Sequence, residues 1–151
     1  MQMRVLFPTG AVLLFAMACA PQPAFKPVAS VKQLMEATIS PSAESIFEAV
    51  GTIVSAAGVE EIAPKNEQEW AAVRNQALTL AESGNLLMMS SRAKDKGEWI
   101  RMSQALVDAG VVALKAAQAK NAAALFDAGA QVYAVCEQCH SRYWKDPGKN
   151  R

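Results

Sequence analysis

The residues best placed to do chemistry are Cys136-Glu137-Gln138-Cys139-His140. Two thiols three positions apart, followed at once by an imidazole, have the spacing of a c-type haem attachment site. On a helix, Cys139 and His140 stand at i+3 and i+4 from Cys136, so all three project from one face. A porphyrin needs this arrangement, because two thiols must reach its two vinyl groups while an imidazole reaches its iron. The alternatives are a structural disulfide, a thioredoxin-like redox pair and half of a zinc site. Zinc would want a second Cys/His pair, and the chain holds 3 Cys and 1 His. A thioredoxin-like pair belongs at a βα turn, whereas the surrounding pattern here is helical.

Because His140 is the sole histidine, a haem iron with two histidine ligands from one chain is excluded. The second axial position falls to Met, to a weaker ligand such as Lys or water, or stays open. Met35, Met88, Met89 and Met102 are the methionines that a helical bundle would bring to the level of His140. Each has a packing role available to it as a pliable apolar side chain. Met35 lies four residues after Val31 near a helix start, a depth that matches His140 four residues before Trp144 near a helix end.

The elements that must position these groups read as four amphipathic helices. A hydrophobic fraction of 52%, rich in alanine, favours an all-α chain. Ser30 is a candidate N-cap for the first helix, which carries Val31, Leu34, Met35, Thr38 and Ile39. Pro41 interrupts it. The pattern resumes with Ile46, Ala49, Val50, Ile53 and Val54, so one kinked helix or two short ones in line are expected to run to Gly58. A loop from Gly58 to Lys65 follows. Asn66 with Glu69 caps the second helix, whose inward face is Trp70, Val73, Ala77, Leu80, Gly84 and Leu87, ending near Ser90 or Ser91. The third begins near Glu98 with Trp99, Met102, Leu106, Gly110, Ala113 and Ala117 on one stripe. The fourth, capped by Asn121, presents Leu125, Gly129, Val132, Cys136, Cys139 and Tyr143. Short connections between these helices predict an antiparallel up-down-up-down four-helix bundle over residues 30–145, carrying a covalently bound haem. Residues 146–151 form a tail, with Pro147 and Gly148 ending the order.

The front of the chain has one positive charge at Arg4, an apolar run from Val5 to Met17 and small residues at its end. That pattern is a secretory signal over residues 1–18, too short to be a bilayer span. Residues 19–29 form a Pro-rich tether. Cys19 reads in two ways. Phe15-Ala16-Met17-Ala18-Cys19 resembles a bacterial lipobox, which would make Cys19 a lipid anchor to a membrane; cleavage at an Ala-x-Ala site would leave it as a thiol near the new end. Lipidation removes a lone thiol from an oxidising compartment, while Ala16 stands where a lipobox favours Leu. The expected location is periplasmic. Without residues 1–18 the chain carries 14 charges of each sign, which offers no footprint for nucleic acid.

A helical bundle with this motif near the end of its last helix resembles the class II cytochromes c, the cytochrome c′ family and its low-spin relatives. The resemblance spans about residues 30–145 and is specific in the last helix. It implies one haem c, attached through Cys136 and Cys139 with His140 proximal. In the low-spin relatives, a segment like Val31-Lys32-Gln33-Leu34-Met35 supplies the distal Met, which assigns that role to Met35. The high-spin members have an apolar residue there and Arg or Lys four positions after the His, where this chain has Trp144. Dimers are common in the family, and Ala49 and Gly51, expected on the first helix, would permit one.

The expected function is that of a periplasmic single-electron carrier serving redox partner proteins. The alternative is a five-coordinate, cytochrome c′-like protein that binds nitric oxide or carbon monoxide at an open face lined by Met35, Leu34 and Ile39. Catalysis is not expected, since there is no second His for a distal base and no nucleophile with a base beside it.

Overall fold

A computed structural model describes residues 25–144. The signal segment, Cys19, the tether up to Ala24 and the tail from Lys145, with Pro147 and Gly148, lie outside the described residues. The chain is mostly helical and forms a helical bundle, as expected. Its elements are α1 (Val31–Leu34), a π-helical turn (Met35–Ile39), α2 (Ser40–Glu48), β1 (Gly51–Ser55), β2 (Gly58–Ile62), α3 (Glu67–Leu87), α4 (Glu98–Gln118) and α5 (Ala122–Tyr143). α1, the π turn and α2 follow one another without a break and make a single helical segment.

The starts of the helices are set by local chemistry. Ser30 Oγ accepts from Gln33 N–H and the Gln33 side chain accepts from Ser30 N–H, a reciprocal capping box. Asn66 accepts from Glu69 N–H to open α3, while Glu69 reaches back to Lys65 N–H. Asn121 does the same for α5 through Ala124 N–H. Gly97 precedes α4 and has no side chain to cap with. Asp95 supplies the cap instead, accepting from Gly97 N–H at 2.9 Å and Trp99 N–H at 3.0 Å.

The first helix stops at Glu48, ten residues short of the expected Gly58. In its place Gly51–Ser55 and Gly58–Ile62 pair as an antiparallel hairpin, Thr52 facing Glu61 and Val54 facing Val59. The spacing of Ile46, Ala49, Val50, Ile53 and Val54 suits a helix, but Thr52-Ile53-Val54 is a β-branched run flanked by glycines, which favours an extended chain. Gly58 takes a φ of +137°, open to glycine, and lets the chain turn. Ile53 and Val54 are exposed rather than inward. Gly51 is therefore a strand residue, and the expected pair of small residues on one helix face, Ala49 with Gly51, does not exist.

The four helical segments close on one another in a ring: α2 packs on α3 and α5, α3 on α4, and α4 on α5. The predicted inward stripes of α3 and α4 are buried throughout, and that of α5 is buried from Leu125 to Val132 and half-buried at Cys136, Cys139 and Tyr143. Leu80, Ala77, Ala113, Ala117, Leu125 and Val132 are fully enclosed, with Ile46 from α2 meeting them. α3 and α4 cross closely where Gly84 faces Ser103 and Val107, and where Gly110 faces Ala81. At one end of the bundle Arg92 donates to the carbonyls of Ala29 and Leu86, and Trp99 Nε1 donates to the Leu87 carbonyl at 2.8 Å. The Tyr143 hydroxyl donates to Asp95 at the same end, and the Tyr143 ring stands edge-on to Trp99 with centroids 5.0 Å apart. The start of the first helical segment, the end of α3, the start of α4 and the end of α5 thus meet there.

Candidate functional site

Cys136, Cys139 and His140 lie on one face of the last two turns of α5, all half-buried. Their face looks into a cavity of about 180 Å³ that is also lined by Met35, Ile39, Ala43 and Phe47 from the first helical segment, Leu87 from α3, and Met102 and Leu106 from α4. A second, more open cleft of about 450 Å³ adjoins it. Met35, Ser40, Cys139 and His140 border both spaces, and the outer one is also lined by Trp99, Tyr143 and Trp144, with Lys32, Glu36 and Lys94 among its charged residues. Together they reach the size of pockets that take cofactors, and they are walled chiefly by apolar side chains, as such pockets are.

Both thiols are free. Burial pushes each above the ordinary thiol range, and at Cys136 the neighbouring Cys139 adds to the effect. At neutral pH they are therefore protonated and uncharged, which suits an apolar wall. The His140 ring stands edge-on to Trp144, with centroids 5.3 Å apart. Trp144 is itself 65% exposed, so His140 lies close to the surface through this neighbour. Among the described residues no three His, Cys, Asp or Glu side chains converge as a metal ion would require. The two thiols and the imidazole instead lie along one face of α5.

Nothing matches by comparison. No family model, curated protein or solved structure matches this chain. The site therefore rests on its own geometry, which sets Met35 and Met102 at the inner cavity and Met88 and Met89 away from it. Met35 is half-buried and borders both spaces beside His140. Met102 is buried in α4 and lines the inner cavity. Met88 and Met89 follow the end of α3 and line neither space; the Met89 sulfur accepts from Arg92 Nη1.

Two details differ from expectation. Leu34, expected on an open distal face with Met35 and Ile39, is buried in the core and borders neither space. Phe47, Ser40 and Val135 line the inner cavity without having been singled out. Phe47 was detectable in principle, being a bulky apolar residue one position from Ile46, but its facing depends on a change of helical phase that no periodicity count shows.

Proposed function

We propose that this protein is a c-type cytochrome that carries single electrons, with one haem c joined to Cys136 and Cys139, His140 as its proximal ligand and Met35 as its distal ligand. The observation that carries the proposal is that Met35 and the Cys136–His140 motif, more than a hundred positions apart in sequence, border the same apolar cavity. Bound haem would supply reversible one-electron exchange at its iron.

The residues around the cavity have definite tasks in this scheme. The Cys136 and Cys139 thiols would hold the haem through thioether links to its vinyl groups, an addition that needs no oxidant. His140 offers a ring nitrogen to the iron, and the edge contact with Trp144 restricts the tilt of its ring. Met35 offers a thioether, a soft ligand that favours the reduced metal. Ile39, Ala43, Phe47 and Leu106 keep water out, which disfavours the more highly charged oxidised state and raises the potential. The helices are taken to run up-down-up-down, in the manner of a class II cytochrome c. The leader and tether support a periplasmic location, where Cys19 would be either a lipid anchor or a thiol near the new end, with redox proteins as partners.

The absorption spectrum of protein made with a cytochrome c maturation system tests the proposal. The expected outcome is covalent haem, six-coordinate and low-spin in both oxidation states, turning high-spin in Met35→Ala. Five-coordinate iron in the wild type, with rapid binding of carbon monoxide after reduction, would replace the carrier with a gas-binding protein. A chain that emerges from that system without covalent haem would remove both.

A further inference from the structure

The first helical segment holds one residue more than an α-helix of the same phase. Ser40 N–H donates to the carbonyl of Met35, five positions back instead of four, within the π-helical turn Met35–Ile39. Each α-helical residue turns the chain about 100°, so an uninterrupted α-helix would set Leu34 and Ala43 about 180° apart. Both are nevertheless buried, along with Ile39, Ser42 and Ile46. Absorbing one residue in the widened turn brings Ser42 and Ile46 to within about 20° of Leu34 and Ala43 to about 80°. Met35, about 100° around from Leu34, then falls nearly in line with Ala43. Those two side chains do line the same cavity.

Pro41 explains why the extra residue is absorbed here. It has no N–H, and in continuous α register its ring would press on the carbonyl of Ala37. The wide turn places it instead in the first turn of α2, where an N–H is not called for. Thr38 Oγ1 donates to the Leu34 carbonyl at 3.0 Å, giving that carbonyl a side-chain donor inside the widened turn.

We infer that the π turn is a register device: a one-residue insertion, held by Pro41 and Thr38, that turns Met35 into the cavity beside His140 while Ser42, Ala43 and Ile46 keep α2 seated on the bundle. Pro41 sets where the extra residue is absorbed, and the facing of Met35 follows from the helical phase that results. The spectroscopic consequence rests on the proposed ligation of iron by Met35, and the facing of Met35 does not.

Changes of length at Ala37, which is exposed, test the inference. Deleting Ala37 together with Pro41→Ala gives a plain α-helix of unchanged phase. Met35 should then resist sulfoxidation by a mild oxidant as well as in the wild type, by peptide mass spectrometry, and the haem spectrum should not change. Inserting one alanine after Ala37 adds rotation that the turn cannot absorb. Oxidation of Met35 should rise several-fold and the low-spin spectrum should be lost. If the segment merely supplied slack for Met35 to reach inward, the shortened variant would be the damaged one; an exposed Met35 there, or a protected one in the insertion variant, overturns the inference. A wild type without Met ligation would overturn the proposed function alone, because oxidation still reports where Met35 faces. If the insertion variant fails to fold by far-UV circular dichroism, the shortened variant decides by itself.

Discussion

At the scale of single residues, burial and hydrogen bonding give two groups a measurable signature. The Cys136 and Cys139 thiols are pushed up by burial. In haem-free protein, alkylation of both is expected to have its pH midpoint above that of an ordinary thiol, about 8.5. A midpoint at or below that value would show that the thiols do not face the apolar cavity. Asp95 behaves in the opposite sense. The Tyr143 hydroxyl, helped by the N–H groups of Trp99 and Gly97, holds its carboxyl below the usual carboxylate range. A carboxylate lowered in the folded state adds stability above its unfolded value of about 3.9, and that stability disappears as the pH falls through the folded value. Asp95→Asn should therefore lower the melting temperature at pH 7, and the two melting curves should draw together as the pH falls below the usual carboxylate range. A gap of constant size across that range would assign the effect to shape instead of charge. The Cys136–His140 motif was legible at this scale because its three side chains lie within two turns of one helix. Helix depth and the resemblance already favoured Met35, but which methionines border the motif's cavity was not legible, since that depends on neighbours supplied by distant segments.

At the scale of elements, the close crossing of α3 and α4 makes a sharp contrast among glycines. A Cβ at Gly110 would stand 2.8 Å from the backbone of Ala81, which cannot swing aside. Gly110→Ala should force the helices apart and cost about 1–3 kcal/mol in chemical denaturation. A Cβ at Gly129 would meet only the Phe47 ring at 3.5 Å, an ordinary contact. Gly129→Ala should be neutral or stabilising by up to about 1 kcal/mol, through helix propensity. Equal effects from the two would contradict the packing described. Three of the four helices were readable by their apolar periodicity over about 20 residues, two of them with their caps, because Asn66 and Asn121 signal a start; the Asp95 cap of α4 was not read. The first was misread beyond Glu48. Ile46, Ala49, Val50, Ile53 and Val54 keep helical spacing, yet Thr52-Ile53-Val54 between Gly51 and Gly58 prefers the hairpin. At Pro41 the break was visible, but its form was not. A kink and a π turn both answer a missing N–H, and the choice fell to the side that buries Leu34 and Ile46 together.

At the scale of the whole molecule, the cavity exists because four segments leave an apolar space between α5 and the first helical segment. A group held there by the folded chain alone stabilises that chain. If haem is joined to the motif as proposed, the pair Cys136→Ser and Cys139→Ser should lower the melting temperature and increase binding of a hydrophobic dye; identical melting of the variant and the wild type would place the group elsewhere. The sequence by itself determined the helical class, most of the caps, the buried stripes of three helices and the spacing of Cys136, Cys139 and His140. All of these depend on residues within a few turns of one another, where backbone geometry alone dictates which side chains share a face. Only the tertiary structure decided that Met35 borders the motif's cavity while Met88 and Met89 do not, that Leu34 goes to the core, and that one residue is absorbed ahead of Pro41. Those outcomes depend on packing among segments far apart in the chain, where burying one side chain rotates another and local periodicity carries no information about the result.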